Sequence, residues 1–163
     1  MSELMNITCY ESPFGFWRLE ANQTHLLSIK HSPENPDYQQ SINPILVEAK
    51  KQLKAYFNRA LHHFELPLHT ANYPQYYQRV WKTVQTIPIG TMKSYSDIAL
   101  ELGDIKSVRA VGQANAKNPF PLIIPCHRVI GKNHEMTGYV YGNEMKKQLL
   151  ANEGAINLQF RLF

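Results

Sequence analysis

The segment Asn118-Pro119-Phe120-Pro121-Leu122-Ile123-Ile124-Pro125-Cys126-His127-Arg128-Val129 constrains this chain more than any other. Three prolines frame an apolar run, and each fixes its own φ and offers no N–H to a helix or ladder. The run is therefore a rigid, non-helical approach that ends on adjacent cysteine and histidine. A cysteine becomes a nucleophile when something withdraws its proton, because the thiolate is the reactive species. His127 is a plausible base. Sequence neighbours need not touch through their side chains, so a bridging water would relay the proton if the two point apart. The ordinary alternatives are an inert buried thiol and a histidine satisfied in a core or on a surface.

The chain's 163 residues suffice for one ordinary domain or two small ones. Hydrophobic residues at 44% and charged residues at 18% describe a globular chain, not a disordered one. A formal charge of +4 suits a polyanionic partner, though many proteins without a nucleic-acid role are as basic. The two cysteines, Cys9 and Cys126, make no disulfide framework and no Cys-x-x-Cys metal pair. Met1 to Tyr10 shows no basic patch followed by an apolar run, and no apolar stretch has the length of a membrane span. The expectation is a cytoplasmic protein whose thiols stay free, with no membrane attachment.

Two halves differ in texture, and the expected boundary divides residues 1–72 from 73–163. In the first, Asn6 to Tyr10, Gly15 to Glu20 and His25 to Lys30 read as strands, with turns at Ser12-Pro13 and Asn22-Gln23. His31 to Ser41 reads as a loop. Asn43-Pro44 predicts an N-cap and first helical position, and Ile45, Leu46, Ala49, Leu53, Tyr56 and Phe57 follow at helical spacing. Phe64 to Leu68 is a candidate fourth strand. In the second half, Tyr76 to Val84 reads as helix, ending before the Ile87-Pro88-Ile89-Gly90 turn. Ser94 to Asp97 supplies caps for a helix through Leu102, and Ser107 for one from Val108 to Ala116. Two short helices about a glycine-containing turn outline a helix-turn-helix. The second carries Arg109 and then small residues, Ala110, Gly112, Ala114 and Ala116. Tight packing against the protein itself and close approach to DNA both account for that pattern.

Pro125-Cys126-His127-Arg128-Val129 resembles the active-site signature of the O6-alkylguanine-DNA alkyltransferases, the methylated-DNA–protein-cysteine methyltransferases. Ile87-Pro88-x-Gly90, Ser94-Tyr95, Arg109-Ala110-Val111-Gly112, Asn118-Pro119 and Leu149-Leu150-Ala151-Asn152-Glu153-Gly154 fall in that family's order, so the similarity spans about Tyr76 to Ala155. It implies an α+β protein. A small ribonuclease-H-like N-terminal lobe would precede an α-rich, winged-helix-like C-terminal lobe holding a helix-turn-helix and the whole active site. The implied activity is irreversible, single-turnover transfer of an alkyl group from O6-alkylguanine in double-stranded DNA to Cys126. No cofactor and no metal are implied, and a monomer is expected; O4-alkylthymine is left open as a second substrate.

The resemblance also assigns roles. Glu153 would orient His127, which through a water removes the Cys126 proton. Tyr95 would give a hydrogen bond to the departing guanine, and Arg109 would fill the base stack when the damaged nucleotide rotates out. Asn118 would hold the turn around the active-site segment. Tyr139 and Val140 would line the pocket, with the Val140 N–H on O6. The carbonyls of Cys126 and Val129 would receive the guanine amino group. Displacement at a saturated carbon needs a soft nucleophile in line with the leaving oxygen, and a guanine anion leaves poorly without a donor such as Tyr95.

Some positions depart from the family pattern. Tyr139 is followed by Val140-Tyr141-Gly142 where a small residue and two glycines are usual, which predicts a reshaped pocket lip favouring methyl over benzyl adducts. Asn133-His134 replaces the usual glycine turn, and a hairpin is expected there because asparagine tolerates the left-handed conformation. The first half lacks the Cys/His set that binds zinc in some relatives. Three rivals remain: an alkyltransferase-like damage binder without transfer, from which the presence of Cys126 distinguishes this chain; a Cys-His hydrolase; and a winged-helix regulator.

Overall fold

The structure, a computed structural model, describes residues 5–36 and 40–157. The chain separates into two compact units, Met1–Thr70 and Ala71–Phe163. Together they make an α+β protein.

The first unit is an antiparallel meander, β1 (Asn6–Ser12), β2 (Gly15–Ala21) and β3 (Leu26–Ser32), with helix α1 (Pro44–Phe57) packed on it. Trp17, Leu19 and Ala21 alternate along β2 and are fully buried, as a half-buried strand requires. Leu46, Ala49, Leu53, Tyr56 and Phe57 of α1 complete that core. Asn43 accepts from the N–H groups of Ile45 (2.9 Å) and Leu46 (3.2 Å), with Pro44 at the first helical position. Two expectations need correction. β3 continues to Ser32, so the expected loop starts later, and its residues 37–39 lie outside the described residues. Phe64 to Leu68 forms no strand: Leu68 makes a single parallel bridge to Leu26. Pro67 within it can accept a bond, from Leu26 N–H at 2.7 Å, but cannot donate to a ladder.

The second unit is built from α2 (Gln75–Gln85), α3 (Tyr95–Glu101), α4 (Val108–Ala116) and α5 (Asn143–Asn152), with two short parallel strands, β4 (Lys93–Ser94) and β5 (Val129–Ile130). Helices α2, α3 and α4 pack on one another, and the buried Trp81 indole N–H reaches the Ala114 carbonyl at 2.8 Å. A capping box starts α3: Asp97 N–H donates to Ser94 Oγ (3.0 Å) and Ser94 N–H to the Asp97 carboxylate (2.8 Å). Ser107 does not cap α4, because its hydroxyl donates instead to the Asp104 carbonyl at 2.7 Å. The expected hairpin after the active-site segment is also absent. Asn133 and His134 do take positive φ (55° and 60°), but within a 3-10 turn, Lys132–His134, closed by Gly131 N–H on the Glu135 carbonyl (2.9 Å). β5 pairs with β4, and residues 135–137 join no ladder. Among the described residues no helix is long and apolar enough to cross a membrane.

Candidate active site

Residues 120–130 are buried without exception, although the prolines keep residues 120–125 out of helix and strand. Their backbone is held by side chains and tight turns instead. Asn118 Nδ2 donates to the Ile124 carbonyl (2.7 Å) while its Oδ1 accepts from Phe120 N–H (2.8 Å). Leu122 is driven to φ +75°, a costly conformation for a branched side chain. At Pro125 (φ −78°, ψ 66°) the Cys126 N–H bonds back to the Ile124 carbonyl at 2.7 Å, an inverse γ-turn. A 3-10 turn, Cys126–Arg128, follows and leads into β5.

Glu153 reaches this segment from the end of α5. Leu149-Leu150-Ala151-Asn152-Glu153-Gly154 closes that helix with a Schellman motif: Ala155 N–H bonds the Leu150 carbonyl (2.9 Å) and Gly154 N–H that of Ala151 (3.0 Å), with Gly154 at φ +80°. The Glu153 carboxylate, 1% exposed, accepts from His127 Nε2 at 2.6 Å. It also accepts from Arg128, through Nε (2.9 Å) and Nη2 (2.9 Å), while Arg128 Nη1 donates to the Ile87 carbonyl (2.7 Å). The Ile87-Pro88-Ile89-Gly90 turn thus carries the third bond of a buried guanidinium.

Burial would raise the Glu153 carboxyl, but His127 and Arg128 together pull it down to about 2. An ionised carboxylate can only accept, so the hydrogen of the His127–Glu153 bond sits on Nε2. In the neutral imidazole Nδ1 is then the nitrogen that keeps the lone pair. That Nδ1 is buried and has no hydrogen-bond partner among the described residues. Cys126 is 3% exposed, and burial pushes its thiol above the ordinary value, with the Asn118 amide and the Lys146 ammonium acting against that shift. The resting thiol is therefore protonated, and it needs a base at the moment it reacts.

Tyr95, first residue of α3, is brought beside this segment by the β4–β5 pairing, Ser94 opposite Ile130. Its hydroxyl lies 3.5 Å from the Thr137 carbonyl, at the edge of hydrogen bonding, and against Gly138, where an added Cβ would sit 2.8 Å from it. Val129 is buried in β5. Tyr139 meets the His127 ring edge-on at 6.4 Å and Tyr141 at 5.8 Å. Arg109 and Val140, the latter 62% exposed, lie on the surface. Around Arg109, α4 buries Val111, Ala114 and Asn115 and leaves Gln113 and Ala116 exposed. A Cβ added at Gly112 would meet nothing within 4 Å. Internal packing therefore does not require a glycine at 112, although it does account for Ala114.

Sequence reasoning gave no role to three buried polar residues. Arg128 stood in the recognised motif, but its partners are 25 and 41 residues away. Lys146 is fully buried, donating to the carbonyls of Val129 (2.5 Å) and Thr137 (2.9 Å), with its ammonium 5.9 Å from the centre of the Tyr95 ring. Burial lowers its pKa to about 8, against the opposing pull of Cys126. Asn115 donates to the Cys126 carbonyl at 3.2 Å. Helical periodicity could have marked Asn115 as inward-facing, one turn from Val111, but not its partner.

A thiol on a proline-stiffened turn, with a carboxylate-oriented imidazole next to it in the chain, defines a protein that reacts through its own cysteine. The comparisons agree on which one. The model of the 6-O-methylguanine DNA methyltransferase DNA-binding domain matches residues 75–155, and that of the same family's ribonuclease-like domain matches residues 5–70. This chain belongs to the 6-O-methylguanine DNA methyltransferase family. It is 42% identical over 135 residues to the constitutive methylated-DNA–protein-cysteine methyltransferase of Bacillus subtilis, covering 83% of this chain and 80% of that one. A Methanosarcina acetivorans methylated-DNA–protein-cysteine methyltransferase is 36% identical over 156 residues, 93% of this chain and 99% of its own. The crystal structure of Mycobacterium tuberculosis O6-methylguanine methyltransferase superposes with a TM-score of 0.80 at 33% identity, covering 98% of this chain and 99% of that one. The Mycobacterium tuberculosis protein in complex with DNA gives 0.79 at 35% identity, over 90% and 91% of the two chains.

Proposed function

We propose that this protein repairs DNA by moving the alkyl group of O6-alkylguanine onto Cys126, once per molecule and without a cofactor. The observation that carries the reading is the Arg128–Glu153–His127 chain, which ties His127 through Nε2 and leaves its Nδ1 unbonded in the same segment as the buried Cys126 thiol. A water on Nδ1 takes the Cys126 proton as sulfur attacks the alkyl carbon. The C–O6 bond breaks as the S–C bond forms. Tyr95 gives its phenolic proton to the guanine ring, which leaves as a neutral base, and the proton taken from Cys126 restores Tyr95 through solvent. The thioether has no exchange route back to a thiol, so the protein is a stoichiometric reagent.

Reaching O6 requires the nucleotide to leave the stack, at a cost of a few kcal/mol. Arg109 enters the gap, from a helix face that Gly112 leaves open. Asn118 holds the turn, Tyr139 and the Val140 N–H line the pocket, and the carbonyls of Cys126 and Val129 receive the guanine amino group. The partner is double-stranded DNA, with O4-alkylthymine a second substrate. We take the working species to be a monomer in the reducing cytoplasm, where Cys126 stays a thiol. The first unit, residues 1–72 by the sequence boundary, would carry none of these groups.

Intact-protein mass spectrometry after incubation with a duplex carrying one O6-methylguanine tests the proposal. The expected result is a gain of one methylene at Cys126, stopping at one equivalent and absent in Cys126→Ala. Tight binding with no change of mass would replace transfer with damage recognition alone.

A further inference from the structure

Among the described lysines, Lys146 alone is fully buried, on the inner face of α5. Even lowered to about 8 by burial, its amine is an ammonium at neutral pH. A buried charge is ordinarily answered by a carboxylate. Here, among the described residues, two main-chain carbonyls and a ring answer it: Val129 (2.5 Å), Thr137 (2.9 Å) and Tyr95, whose ring centre lies 5.9 Å from Nζ. Packing alone would be served better by an apolar side chain of similar length, which carries no charge to desolvate. The Tyr95 hydroxyl reaches the same Thr137 carbonyl, at 3.5 Å, and rests against Gly138. The Lys146 main-chain N–H donates to the Gly142 carbonyl (3.2 Å), and the Gly142 N–H to that of Tyr139 (3.0 Å). Lys146 thus holds the segment carrying Tyr139 and Val140 at both ends, Thr137 through Nζ and Gly142 through its backbone.

We propose that Lys146 is a positioning residue for alkyl transfer: its ammonium, seated at the Tyr95 ring and holding the Thr137 carbonyl, keeps the Tyr95 O–H for the departing guanine. The inference rests on the alkyl-transfer reading. A part-buried carbonyl deprived of its donor turns to the nearest one, here the Tyr95 O–H, and a phenol so engaged is lost to the substrate. The ammonium also offsets the negative charge that grows on the phenol as its proton moves to guanine. Val129 keeps a lone pair for the guanine amino group, since a carbonyl oxygen has two.

The test is a double-mutant cycle in single-turnover transfer from an O6-methylguanine duplex, using Lys146→Met, Tyr95→Phe and the double variant. Methionine is unbranched and close to lysine in length, so it fills the site and removes the charge and the donors. Lys146→Met slows transfer roughly tenfold, the effect of one lost hydrogen bond, with duplex affinity unchanged because the buried ammonium meets no phosphate. In the Tyr95→Phe background it adds less than about threefold. Equal slowing in the presence and absence of the Tyr95 hydroxyl would overturn the proposal, as would a wild-type rate in Lys146→Met. An activity-independent measurement separates this from the alkyl-transfer reading: ultraviolet titration, with Tyr95→Phe as the blank, finds the Tyr95 phenol ionising at higher pH in Lys146→Met. No shift there overturns the inference even if transfer is confirmed. Lys146→Arg keeps a cation and its donors, so it transfers faster than Lys146→Met and leaves the Tyr95 titration near that of the wild type. A displacement as large as methionine's would count against the ammonium. If the wild type transfers no alkyl group, the alkyl-transfer reading fails, and the titration still decides what Lys146 does to Tyr95.

Discussion

Asn43, Gln52 and Ser12 of the first unit and His127 and Asn115 of the second use their buried polar groups differently. In the first, Asn43 Oδ1 caps α1 while its Nδ2 donates to the Asn22 carbonyl at 3.0 Å. Gln52 is used at both ends, donating to the Glu65 carbonyl and accepting from Glu65 N–H, each at 2.9 Å. Ser12 Oγ serves the β1–β2 turn and the Trp17 indole together. These groups fix turns and helix ends, and their capacity is filled. In the second unit, His127 Nδ1 and Asn115 Oδ1 are buried with hydrogen-bonding capacity unused, a few residues from groups that are over-determined. Unfilled capacity of this kind carries a stability cost that the surrounding frame must offset.

The comparison breaks or sharpens at particular substitutions. Glu153→Gln has the largest expected effect, because it leaves Arg128 buried without a counter-charge and releases the His127 tautomer. We expect about 3–5 kcal/mol of lost stability and transfer slowed by roughly 10²–10⁴, read by denaturant melts and single-turnover kinetics. Acid gives a second reading of the same network. Glu153 titrates at about 2 when folded and near the ordinary 4.5 when unfolded. Its contribution is complete above pH 4.5 and fades as pH falls toward 2, amounting to on the order of 3 kcal/mol. The Glu153→Gln protein should lack that part of the acid sensitivity; an identical acid melt would show the carboxylate is not held as described.

Gly138→Ala comes next. At φ +80° a Cβ costs about 1–2 kcal/mol, and it would press on the Tyr95 hydroxyl. Transfer should slow about tenfold, the effect of one misplaced hydrogen bond, with duplex affinity kept; unchanged kinetics would show that Tyr95 has room to move. The smallest effect belongs to the first unit. Asn43→Ala should cost about 1–2 kcal/mol in thermal or denaturant unfolding and leave the transfer rate untouched. A slower transfer step would give the first unit a part in the chemistry and end the contrast.

Much of the fold was legible because its signals are local. Asn43-Pro44 starts α1, Ser94 and Asp97 cap α3, and alternation along β2 names the buried face, all within a few residues. The failures have a common cause. Phe64 to Leu68 looked like a strand and Asn133-His134 like a hairpin turn, yet pairing depends on which edge is free in space. Ser107 looked like a cap and found a nearer acceptor.

For the site, the sequence determined the reactive pair and its stiffness, since Pro125-Cys126-His127 is contiguous and proline acts on its own backbone. It also determined where α5 stops, and so where Glu153 stands, because a Schellman end needs only Gly154 in place. Tertiary structure alone decided which nitrogen of His127 is the base, through a carboxylate 26 residues away. It alone buried Lys146 beneath Tyr95 and turned Asn115 toward the Cys126 carbonyl. Hydrogen bonds and charges act over a few ångströms of space, whatever their separation along the chain, and no local pattern of residues encodes that distance.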